Sequence, residues 1–121
     1  MNTSSKRLIT AAMVGSLSFA AHAAETGHLD ASTRFLPVGE GHVAYDDTGG
    51  SGPLVLAIPG MGDLRSEYRA LRPLLQQAGY RVVTMDVRGH GDTTARWRDY
   101  SAHAVGRDAL ALIDHLNAGL R

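Results

Sequence analysis

Pro53-Leu54-Val55-Leu56-Ala57-Ile58-Pro59-Gly60-Met61-Gly62-Asp63 is the stretch that decides the fold. The apolar run Leu54–Ile58 lacks the alternation of a half-exposed strand, so it predicts a strand buried on both faces in a parallel sheet. The run then breaks into Pro-Gly-x-Gly. Beyond it, Leu64, Tyr68, Leu71, Leu74, Leu75 and Ala78 recur at intervals of three and four, which predicts an amphipathic helix over Leu64–Ala78. Asp63 is placed to cap its start and Gly79 to close its end in the left-handed conformation. Pro73 has no N–H for the i to i−4 bond and is expected to kink or divide the helix. A second apolar strand, Arg81–Met85, ends in Asp86-Val87-Arg88-Gly89-His90-Gly91-Asp92. The residues between the strands suffice for a right-handed βαβ crossover.

Upstream, Arg34–Val38 and His42–Asp46 read as an antiparallel hairpin around a loop of about three residues, Gly39-Glu40-Gly41. Thr48-Gly49-Gly50-Ser51-Gly52 is a flexible turn, and residues 24–33, small and polar without periodicity, are a linker. Downstream, a loop from Val87 to about Tyr100 carries Arg96-Trp97-Arg98, and Trp97 is expected to anchor it by packing its ring. Ser101 caps a last helix that turns Val105, Ala109, Leu112 and Leu116 to one face and ends near Gly119. There the βα alternation breaks off after a helix that would feed another parallel strand.

The first residues have the three parts of an export signal. Lys6 and Arg7 supply positive charge, Leu8–Ala20 an uncharged, mostly apolar run, and Ala21-His22-Ala23 a small-residue cleavage site. The run is shorter than the roughly 20 residues that span a bilayer, so no membrane span is expected. The expected organisation is a signal peptide over 1–23, a linker over 24–33 and a partial domain over 34–121, with the mature protein starting at Ala24 in the periplasm or secreted. Without residues 1–23, 98 of the 121 remain, with 12 acidic and 10 basic side chains and a net charge of −2. That balance speaks against nucleic acid as a partner. The chain has no cysteine, which excludes a disulfide, a thiolate metal site and a cysteine nucleophile.

Two motifs at this spacing carry a resemblance. A strand ending in a glycine turn, then a helix, then a strand ending in Asp-x-Arg-Gly-x-Gly-x-Ser resembles the front half of an α/β hydrolase, from about Arg34 to Gly119. Pro59 stands where the family more often has histidine, and Thr93 takes the Ser position. The resemblance implies the N-terminal half of an α/β-hydrolase sheet: an antiparallel hairpin, a parallel βαβ unit and a further helix. It implies that Gly60 is the turn glycine and that Met61 offers a backbone N–H to the oxyanion of a tetrahedral intermediate. It implies an architectural loop in which Gly89 and Gly91 turn the chain, His90 lies between them, and Asp86 and Arg88 hold the loop beneath the site. The activity implied is serine-type hydrolysis of a small ester-like substrate without metal or organic cofactor, the triad following in the order Ser, acid, His. No Gly-x-Ser-x-Gly occurs in the 121 residues, so the chain alone is expected to be inactive.

Two other readings compete. A non-catalytic fragment would act, if at all, by self-association through exposed sheet edges. A dinucleotide site would use Gly60-Met61-Gly62 after a strand and Asp86 as the ribose acid, but Arg65 stands where a third glycine must let helix and strand pack closely. The six histidines show no His-x3-His or His-Glu-x-x-His spacing, so no metal site is expected.

Overall fold

Strand pairing follows the apolar pattern closely. The computed structural model describes residues 32–117. The expected signal peptide, all of the linker but Ser32 and Thr33, and the helix end near Gly119 lie outside them. Strands β1 (Arg34–Val38), β2 (Gly41–Asp47), β3 (Leu54–Ala57) and β4 (Arg81–Met85) form one mixed sheet in the order β1-β2-β4-β3. β3 and β4 run parallel with Val55 opposite Val82, as expected, and β2 pairs antiparallel with both β1 and β4.

The hairpin loop is shorter than expected. Val38 lies opposite Gly41, so Gly41 belongs to β2 and only Gly39-Glu40 remain as the loop. Two-residue loops match the twist of the paired strands better than three-residue ones, and glycine at the first position is their signature. β3 departs further from expectation. It stops at Ala57 and is half-buried throughout, and Ile58 is 40% exposed. The reason is position: among the described residues β3 has a neighbour on one side only, whereas β4, between β2 and β3, buries Val82–Met85 completely.

The expected helix Leu64–Ala78 is divided. A 3₁₀ turn covers Arg65–Arg69, and α1 covers Leu71–Gln77. Pro73 explains the break, because it cannot donate to the Arg69 carbonyl and is tolerated only in the first turn of a new helix. None of the residues in either piece is buried, and Leu71 and Leu74 stand exposed, so the predicted apolar stripe is not a core face among the described residues. The end is as expected: the Gly79 N–H donates to the Gln76 carbonyl and the Tyr80 N–H to the Leu75 carbonyl, the paired bonds of a Schellman cap.

Helix α2 (Ala102–Asn117) supplies the core. Ser101 caps it as expected, its Oγ accepting the Ala104 N–H at 3.2 Å. Ala109, Leu112 and Leu116 pack on Leu36, Val43, Tyr45, Val83 and Met85 of the sheet. No helix among the described residues is long and apolar enough to cross a membrane.

Candidate functional site

The carboxyl ends of the two parallel strands open into adjacent loops, the place where open α/β sheets hold their ligands. After β3, Pro59 is buried and the chain turns over Gly60–Asp63. The Asp63 N–H donates to the Gly60 carbonyl at 3.1 Å, and Gly62 has φ +90°. A positive φ at the third residue is the requirement of a type II turn, which glycine meets without strain. The Tyr68 hydroxyl donates to the Ile58 carbonyl at 2.7 Å and pins the strand end. Met61 is 84% exposed, and its N–H has no acceptor among the described residues. Gly60 and Met61 therefore sit in the turn at the strand end, with a backbone donor that meets no acceptor among the described residues.

After β4, the glycine loop folds back on itself. The Asp86 carboxylate is fully buried and accepts the Asp92 N–H at 3.1 Å and the Arg65 N–H at 2.7 Å. The second bond corrects the capping expectation: Asp63 makes no cap, and the start of the 3₁₀ turn is held by an acid from the loop after β4. Gly91, with φ +51°, lies against Asp86 so closely that a Cβ would collide with its carboxylate. Thr93, in the Ser position of the motif, donates from Oγ1 to the Asp86 carbonyl at 2.7 Å and accepts the Ala44 N–H at 2.9 Å, stitching the loop to β2.

Arg88 holds the base of this loop. Its Nε and Nη2 donate to the two oxygens of Asp108 at 2.8 Å each, and its Nη1 donates to the Asp99 carbonyl at 2.7 Å. The bonds to Asp108 raise its pKa further above the usual guanidinium range, against the effect of burial. Trp97 lies under the guanidinium, 4.1 Å from ring centroid to Cζ, and its Nε1 donates to the Thr94 carbonyl. It packs as a loop anchor, as expected.

Arg65 is the residue whose role the sequence concealed. Burial opposes its charge, but Nη1 donates to Asp92 at 2.7 Å and to Asp86, Nε donates to Asp46 at 2.9 Å, and its pKa rises. Its Nη2 donates to the Thr33 hydroxyl at 3.0 Å. One guanidinium thus ties the first turn after β3 to the glycine loop, to β2 and to the residue before β1. The arrangement removes the dinucleotide reading, since the acid that would hold a ribose is buried and engaged by Arg65. No signal in the sequence pointed to this hub. Asp108 did carry one: it falls with Ala104 and Leu112 on the apolar face of α2, where a charge demands a partner.

His90 joins the two loops. Its Nδ1 lies 3.1 Å from the Arg88 carbonyl oxygen, and its Nε2 accepts the Gly62 N–H at 3.0 Å.

A family model described as the alpha/beta hydrolase fold matches residues 53–120. Epoxide hydrolase 1 of Siraitia grosvenorii is 39% identical over 77 residues, 62% of this chain and 24% of that protein. Among solved structures, an epoxide hydrolase from Vigna radiata aligns with a TM-score of 0.64 at 33% identity, over 70% of this chain and 28% of that one. A bromoperoxidase from Bacillus anthracis aligns with a TM-score of 0.65 at 28% identity, over 71% and 32%. The chain spans about a quarter of the length of the curated relatives it matches.

Proposed function

Because the chain belongs to the alpha/beta hydrolase fold family, we propose that it supplies the anion-stabilising side of a hydrolytic active site. The Met61 N–H is the donor, and its acceptor is an oxygen that gains negative charge during nucleophilic attack. The observation that carries this reading is the Met61 N–H at the end of β3, without an acceptor among the described residues, in a turn fixed on one side through Ile58 and on the other through Gly62. A donor already oriented needs no reorganisation when charge appears, and removing one such donor costs about 10²–10³ in kcat.

Serine-type hydrolysis of a small ester is the reaction that the motifs imply. Epoxide opening is the second reading, supported by the relatives that carry the name epoxide hydrolase. Both place developing negative charge on an oxygen, and both need a nucleophile held elsewhere than in this chain's serines. Ser66 lies in the 3₁₀ turn and Ser101 caps α2, so neither sits in a strand-to-helix elbow. The glycine loop then acts as the support of the turn, and the mature protein begins at Ala24 outside the cytoplasm.

The test is a chimera in which residues 34–117 replace the corresponding stretch of the Siraitia grosvenorii relative. Met61→Pro deletes the donor at the turn position that proline fits best. The chimera is expected to hydrolyse an aryl epoxide or an activated ester, with kcat falling about 10²–10³-fold in Met61→Pro at unchanged circular dichroism. The 121-residue chain alone is expected to turn over neither. Equal kcat with and without the Met61 N–H would remove the reading.

A further inference from the structure

The two contacts of His90 settle its proton. The Arg88 carbonyl can only accept and the Gly62 N–H can only donate, so the ring is neutral, with hydrogen on Nδ1 and a lone pair on Nε2. That lone pair meets the one peptide whose orientation defines the turn. In the turn Gly60–Asp63 the central peptide joins Met61 to Gly62, and flipping it converts type II into type I while the Gly60–Asp63 bond stays closed. Gly62 tolerates φ of either sign, so its own backbone chooses neither form. The choice falls to what the central N–H meets, and it meets Nε2.

We propose that His90 is a positioning residue that selects the turn type: neutral, it holds the Gly62 N–H and the type II form, and protonated, it turns the Met61–Gly62 peptide over so that the Met61 carbonyl faces it. An imidazolium donates from both nitrogens. Its Nε2–H would oppose the Gly62 N–H, whereas the flipped peptide offers an acceptor in the same place. The flip reverses the dipole of the peptide directly after the Met61 N–H. The consequence for hydrolysis rests on Met61 being the anion donor, while the tether itself does not.

The charged groups on the two loops are Asp63 on the turn and Asp86, Arg88 and Asp92 on the glycine loop. Asp86 and Asp92 are engaged by Arg65, and Arg88 by Asp108. Asp63, on the turn itself, forms no ion pair among the described residues, and the His90 ring is the group in direct hydrogen-bond contact with the Gly62 N–H.

NMR of the full 121-residue chain tests this without any substrate. At the alkaline end of a pH series, the His90 ¹⁵N shifts are expected to show Nδ1 protonated and Nε2 bare. On acidification the Gly62 amide and the Met61 carbonyl carbon should shift together with the His90 ring signals, and Gly62 protection against exchange, taken relative to its intrinsic rate at each pH, should fall about two- to tenfold, the range for one lost hydrogen bond. His90→Gln, whose side-chain oxygen reaches the Nε2 position, should hold the Gly62 amide at every pH. His90→Asn, which reaches only the Nδ1 position, should leave it released. An Nε2–H tautomer overturns the proposal, as does a Met61 carbonyl that ignores the titration, or Gln and Asn variants that behave alike. If the Asn variant fails to fold, the wild-type titration and the Gln variant still decide it. A chimera that loses no activity in Met61→Pro would end the hydrolytic reading and leave the tether standing.

Discussion

Arg88→Met keeps the stem of the side chain, removes its guanidinium and strands Asp108. The perturbation is severe because both partners are hidden, Arg88 at 9% exposure and Asp108 at 1%. Three hydrogen bonds go at once, two to Asp108 and one to the Asp99 carbonyl. Each charge-assisted bond contributes about 1.5–3 kcal/mol, but their sum overstates the loss, because methionine keeps the stem contacts and water can reach part of the cleared space. Breaking one side of a buried pair costs about 3–5 kcal/mol, and that range applies here. Against the roughly 5–15 kcal/mol that holds a domain together, it removes much of the stability. Urea unfolding of the 121-residue chain, followed by far-ultraviolet circular dichroism, reads it as a lower midpoint at unchanged slope. The double variant Arg88→Met/Asp108→Leu leaves no stranded charge and is expected to recover to within about 1–2 kcal/mol of the parent. A loss below about 1 kcal/mol in Arg88→Met, the level of an exposed pair, would refute the argument, and so would a double variant that falls further than the single one.

Other substitutions probe the remaining supports. Gly91→Ala forces a side chain into a left-handed φ of +51° and onto the Asp86 carboxylate, so a loss of about 1–3 kcal/mol is expected in a thermal melt. Gly60→Ala, whose Cβ meets only Asp63 at 3.6 Å, should change the melt little. The Arg81 hydrogen bond holds the Asp47 carboxyl below its ordinary value of 3.8 against the cost of burial, with help from the Gly49 amide. A depressed folded pKa means that this stabilisation is complete above the unfolded value and is lost as pH falls below about 4. Arg81→Met should flatten that acid limb of the stability–pH curve, and an unchanged limb would show that the pair contributes nothing.

Period and punctuation in the sequence determined much of this protein. Arg34–Val38 and Arg81–Met85 were legible to the residue, because apolar runs bounded by turn residues need only local rules. Pro73 announced the division of its helix, and Ser101 and Gly79 announced their caps, since each acts on backbone within a few residues. The glycine turn after β3 and the Asp-x-Arg-Gly-x-Gly loop after β4 carried the family resemblance by residue type and spacing alone. What the tertiary structure alone decided were the long-range partners. Burial of β3 depended on how many neighbours it had in the sheet, which a run of five apolar residues does not encode. The start of the 3₁₀ turn was held by Asp86, not by adjacent Asp63, because a carboxylate from the loop after β4 reached the Arg65 amide. Arg65 gathered Asp46 from β2 and Asp86 and Asp92 from the glycine loop, two segments far apart in the chain, and His90 reached the Gly62 amide across the gap between two loops. Hydrogen bonds and ion pairs act over a few ångströms, whatever the separation along the chain. A reading of periodicity therefore finds the elements, and only their packing shows which charges and donors meet.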